Sequence, residues 1–168
     1  LINNTICLSL YQLIAGFPLP IIVSLLLNHL NSKKFKRFTQ TVIYAPHFIS
    51  TVVLVGMLHV FLSPRSGLIN LLIVALGGEP IFFMAKPEWF KTLYVFSGIW
   101  QNTGWGTIVY LAALSTISPE LHESAVVDGA NKWRRIWHID IPGLMPTAII
   151  LLILNMGNLM NIGFEKAD

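Results

Sequence analysis

Three stretches of the chain hold side chains that could do chemistry. In the first, Glu123 to Pro142, reading ESAVVDGANKWRRIWHIDIP, carboxylates, cations and indoles are crowded between two long apolar runs. In the second, Asn155, Asn158 and Asn161 recur at three-residue steps, a slowly drifting polar stripe inside an apolar run. In the third, Trp100, Gln101 and Asn102 interrupt another such run. Amides donate to and accept from hydroxyl groups, and indole faces cover the apolar side of a sugar ring, so both polar sets suit a carbohydrate. Polar groups at membrane depth usually face a bundle interior or a wet cavity, which makes these six residues the candidates for a translocation pathway. The same amides would equally serve to hold membrane helices together through interhelical hydrogen bonds.

Other chemistries lack their parts. There is no G-x-x-x-x-G-K-[ST] loop to cradle phosphates, so energy from a nucleotide must come from another subunit. The HESAV segment places Val126 where a zinc-protease helix needs its second histidine. His47 and His59 fall on different helix faces, which favours packing or interhelical hydrogen bonds over a metal site. One cysteine, Cys7, gives neither an internal disulfide nor a metal cluster. No set of nucleophile, base and orienting group emerges, and the chain is read as a non-enzyme with no catalytic residue, metal or cofactor of its own.

The elements that must position these residues follow from composition. With 54% hydrophobic and 11% charged residues and a mean hydropathy of +0.66, the chain lacks the polar surface of a soluble domain. It reads as an all-α, polytopic transmembrane bundle with no nucleic-acid partner. Apolar runs predict four spans, at about 6–30, 42–62, 90–114 and 144–163, in one partial membrane domain over 1–168. Pro18 and Pro20 should kink the first. Lys33, Lys34, Lys36 and Arg37 follow it in a loop with no acidic residue, which places that loop in the cytoplasm. The run from Leu68 to Leu76 is too short to span and is expected to lie in the interface or against the bundle. The orientation then returns residues 115–142, with Lys132, Arg134 and Arg135, to the cytoplasm. The first residue is Leu1 and the last residues follow closely on a span, so both ends look cut and a fragment is expected.

Within that cytoplasmic stretch the local signals are specific. Ser118 suits an N-cap, Pro119 the first helical position and Glu120 the first turn. Gly129 should close the helix in the left-handed conformation, and Asn131 should cap a second short helix. There Trp133, Ile136 and Trp137 share one face, while Arg134, Arg135 and His138 point elsewhere, as in an amphipathic helix at a membrane surface.

At these residues the chain resembles the permease subunits of ABC importers. Glu123, Ala125, Asp128, Gly129, Ala130, Ile139 and Pro142 match the EAA loop pattern, with Ser124 in its second place and Ile141 for the leucine before proline. The wider text, including KKFKRFTQTVIYAPHFIS and GWGTIVYLAALSTISPELHES, looks like the carbohydrate-uptake branch, of the aldouronate or multiple-sugar type. The resemblance implies a multi-pass protein of the cell membrane, in which the loop docks on a cytoplasmic ATPase. It also implies a second permease subunit, an extracellular solute-binding protein, contact with membrane lipids and a sugar substrate. ATP and magnesium would be held by the ATPase. On this view Ser124 and Ala125 permit close approach, Gly129 sets the angle between two helical arms, and Glu123 and Asp128 meet basic groups. Trp133 and Trp137 would anchor the second arm among headgroups. Family members usually have a further span at each end. The alternative is a membrane scaffold whose loop recruits an unrelated partner.

Overall fold

The computed structural model describes residues 2–157, with side chains described from residue 6. The described residues fold into helices joined by short turns. Helix α1 (Ile2–Gly16) runs into α2 (Pro18–Asn28), with the ladder interrupted where Pro18 and Pro20 have no N–H to give. Then come α3 (Lys33–Tyr44), α4 (Thr51–Phe61), α5 (Leu68–Ala75), α6 (Pro87–Ser115), α7 (Pro119–Val127), α8 (Lys132–Arg135) and α9 (Ile141–Gly157).

Helix α6 is the axis of the bundle. It packs against α1, α2, α3 and α9, and at 1.5 Å per residue it is about 43 Å long, more than a hydrocarbon core. Being surrounded, it can tolerate Gln101, Asn102 and Thr103 in its middle. The core lies where α2, α6 and α9 meet, around Leu25, Tyr110, Leu114, Leu144 and Ala148. Gly104 sets the closest approach: a Cβ there would run into the Ile43 carbonyl of α3.

Outward faces are as apolar as the inside. Ile14, Val52 and Leu76 are 71%, 82% and 88% exposed. Among the described residues, two helical stretches are long and apolar enough to cross a membrane, Ile6–Asn28 and Lys132–Gly157, and only 11% of each apolar window is buried. Water would not tolerate so much bare hydrocarbon, whereas lipid tails cover it without cost.

Three features depart from the sequence reading. The run 42–62 is not a straight span: Lys33–Phe48 and Thr51–Phe61 meet at 101°. Pro46 starts a tight turn at Ala45–Phe48, Ile49 is extended, and Ser50 starts α4 afresh by accepting from the Val53 N–H. The basic segment after the first span is the strongly amphipathic helix α3, not a loop, with Ser32 accepting from the Phe35 N–H and no residue buried. The helix after Asn131 is not a separate short arm. It continues through a π turn, Ile136–Asp140, into α9 as one helix. Within it Ile141 donates to Ile136, five back, and Pro142 beside it has no N–H to give. Residues 158–163 of the expected last span lie outside the described residues.

Between α4 and α6, Asn70 of α5 is fully buried and staples the connection. Its Nδ2 donates to the carbonyls of Leu62 and Ser63 at 3.1 Å and of Ile81 at 3.0 Å, and its Oδ1 accepts from the Ile81 N–H at 2.7 Å.

Candidate coupling loop and polar cavity

The loop from Ser118 to Asn131 is built by backbone rules. Pro119 opens α7, although the Ser118 hydroxyl makes no capping bond. At the other end Gly129 adopts φ +79°, its N–H donates to Val126 at 3.0 Å, and the Ala130 N–H donates to Ala125 at 2.8 Å. This paired closure is a Schellman motif, and it needs the left-handed conformation that glycine adopts freely. Asn131 then caps α8, its side-chain oxygen accepting from the Arg134 N–H at 2.9 Å.

The outcome is a helix, a sharp turn and a second helix with their polar groups outward. Glu123, Ser124, Asp128 and Gly129 are exposed, and Ala125 and Ala130 are half-buried. Neither carboxylate is in an ion pair with a described residue, and the Ser124 hydroxyl is satisfied within α7 by the Leu121 carbonyl. Ala125 and Ala130 line a shallow groove of about 360 Å³ with Arg134, Arg135 and His138. Trp133 and Trp137 are 69% and 64% exposed. Pro142 is exposed just beyond the π turn. Helix α7 buries no residue and packs only sparsely on the other helices.

The structure brings together three residues that the sequence reading did not connect. Asp140, in the π turn, is fully buried. Its Oδ2 accepts from His29 Nε2, just past α2, at 2.7 Å, and its Oδ1 lies 3.4 Å from His122 Nε2 on α7. The three do not frame a metal site. The residues stand far apart in the chain, 111 positions between His29 and Asp140, so no local pattern could have announced the cluster.

The pathway candidates divide. Asn102 of α6 and Asn155 of α9 line one open cavity of about 480 Å³ between α1, α2, α6 and α9. Trp100 and Gln101 do not line it. Gln101 instead donates to the Ile49 carbonyl at 2.6 Å, holding the bend between α3 and α4. Asn158 and Asn161 lie outside the described residues. The cavity adds Gln12, whose Oε1 is buried with no hydrogen-bond partner, and Trp105, which stacks on His47 at a centroid distance of 4.6 Å. His47 Nδ1 also faces Asn102 Oδ1 at 3.3 Å. The signal for Gln12 was present as an amide within the first apolar run.

Residues 13–163 match the family described as binding-protein-dependent transport system inner membrane component. The chain belongs to this family. This inner membrane component is 45% identical to Protein LplB of Bacillus subtilis (strain 168) over 166 residues, 99% of the chain and 52% of LplB. It is 46% identical over 165 residues to the polygalacturonan/rhamnogalacturonan transport system permease protein YteP of the same organism, covering 98% of the chain and 51% of YteP. The chain thus spans about half the length of these relatives. Among solved structures it superposes on a bacterial ABC transporter involved in the import of the acidic polysaccharide alginate. The TM-score is 0.93 at 42% identity, over 97% of this chain and 57% of that one. The all-helical permease fold and the membrane location follow from this membership together with the lipid-suited outer faces.

Proposed function

We propose that the chain is the permease portion of an ATP-driven importer for sugars or oligosaccharides, with the loop 115–142 in the cytoplasm. The observation that carries this reading is the form of α7 and its Schellman turn. Glu123 and Asp128 stand outward with no partner of their own on a helix that is barely packed against the bundle. Exposed, unpaired carboxylates beside small residues offer a partner both close approach and charge-assisted hydrogen bonds. A separate cytoplasmic ATPase, which holds ATP and Mg²⁺, closes on this loop and moves it. The spans tilt in response, and the polar cavity opens to one side of the membrane and then the other. A second permease subunit completes the pathway, an extracellular binding protein delivers the solute, and Trp133 and Trp137 ride among lipid headgroups.

The relatives support the substrate class: YteP is named for polygalacturonan and rhamnogalacturonan transport, and a second alginate transporter structure is a complex with an alginate pentasaccharide-bound periplasmic protein. The cavity chemistry agrees, since Gln12, Asn102 and Asn155 are neutral amides and Trp105 supplies an aromatic face. The test is uptake of oligogalacturonides and alginate oligosaccharides by vesicles holding the complete transporter. Uptake that requires internal ATP and the binding protein is expected. Folded, fully assembled transporter that moves no saccharide would overturn the reading.

A further inference from the structure

Helix α7 buries no residue and packs only sparsely on the other helices, so apart from its covalent ends little holds it to the bundle. The exception is electrostatic. His122, next to Glu123 on α7, faces the fully buried carboxylate of Asp140, and the other oxygen of that carboxylate is held at 2.7 Å by His29 at the end of the Ile6–Asn28 helix. A carboxylate is buried at such cost that it persists only where partners compensate it. Here the partners come from two other elements, one of them the exposed loop helix.

We propose that Asp140 is a positioning residue for coupling, tying α7 to both membrane-length helices. The inference rests on the reading of the loop as the ATPase contact. The π turn is what makes the tie possible: one inserted residue turns the following side chains by about 100° around the helix axis. The turn thus sets where Asp140 points. The tie is also incomplete in this structure. Asp140 Oδ1 is buried with no hydrogen bond, although His122 Nε2 stands 3.4 Å away, within reach but not aligned. A small inward movement of α7 that turns the imidazole toward Oδ1 would complete the bond. Displacement of the loop is then felt at once by the first span, through His29, and by the last, whose backbone bears Asp140. Lys132 and Arg135 line the same small pocket as His29 and His122, so cationic side chains flank the cluster.

The test follows hydrogen exchange in the full-length permease, purified with its ATPase, with and without ATP. In the wild type, ATP should slow exchange in α7 and at the end of α2 together. In Asp140→Asn, whose amide can accept from one imidazole but carries no charge, the slowing at the end of α2 should fall by about tenfold, equivalent to about 1.4 kcal/mol, while α7 still responds. His122→Asn, at a partly exposed position, should do the same, and it decides the matter if the Asp140 variant does not assemble. Adding His122→Asn to Asp140→Asn should bring little further loss. An undiminished response at α2 in an assembled variant overturns the tie. If ATP changes nothing in wild-type α7, the loop is not the ATPase contact, and the tie falls with that reading.

Discussion

Gln101 of α6 donates a 2.6 Å hydrogen bond to the Ile49 carbonyl, at the residue where the chain turns through 101° between α3 and α4. A helix broken at membrane depth exposes backbone carbonyls that lipid cannot satisfy, and the amide answers one of them. Gln101→Leu keeps the bulk and removes the donor. It should destabilise the full-length permease by about 1–3 kcal/mol, read as a lowered Tm in detergent. An unchanged Tm would mean that water replaces the bond.

Two glycines provide a matched contrast. At Gly104 a Cβ would strike the Ile43 backbone carbonyl, whereas at Gly56 in α4 it would meet nothing within 4 Å. Gly104→Ala should therefore cost about 1–3 kcal/mol through forced separation of α3 and α6. Gly56→Ala should be neutral or stabilising by up to about 1 kcal/mol. Thermal unfolding of the two variants side by side checks the difference in sign.

Asn70→Ala removes the staple between α4 and α6 and strands the carbonyls of Leu62 and Ile81 and the Ile81 N–H, while Ser63 keeps its bond from the Gly67 N–H. At roughly 1 kcal/mol net per hydrogen bond, a loss of about 2–3 kcal/mol is expected. Because the damage is local, residues 63–86 should become the first site of cleavage in limited proteolysis. Cleavage elsewhere first would show that other contacts hold the connection.

Gln12 separates a pathway role from a packing role. Its Oε1 has no partner to lose, so Gln12→Met should leave stability unchanged or raise it by up to about 1 kcal/mol. On the proposed pathway it should also raise the apparent KM for saccharide uptake severalfold, as should Asn155→Leu. Unchanged kinetics in both variants would make these amides structural.

How far the sequence foretold the structure depends on the range of the forces involved. The Gly129 closure and the Asn131 cap were legible because both are decided within a few residues by backbone geometry. The brevity of the Leu68–Ala75 helix was legible as well. The bend at Ile49 was not, because an apolar run has the same hydropathy whether straight or folded back, and Pro46 alone does not fix an angle. Nor was the fusion of α8 with α9: the loop to residue 142 and the span from 144 were read as separate elements, but a π turn makes them one helix. The amides at 101 and 102 look alike in sequence, yet one serves the bend and the other the cavity, a division set by which neighbour each meets. Asp140, His29 and His122 meet only in the tertiary fold, which leaves no mark in local spacing.

The most direct measurement of the coupling role is co-purification, in mild detergent, of the full-length permease with its ATPase subunits, comparing wild type with Glu123→Arg and Gly129→Pro. The first reverses an outward carboxylate, and the second is incompatible with φ +79°, since proline is held near −65°. Retention of the ATPase by the wild type and its loss from both folded variants is the expected result. A well-folded wild type that captures no ATPase, or variants that capture it equally well, would contradict the account.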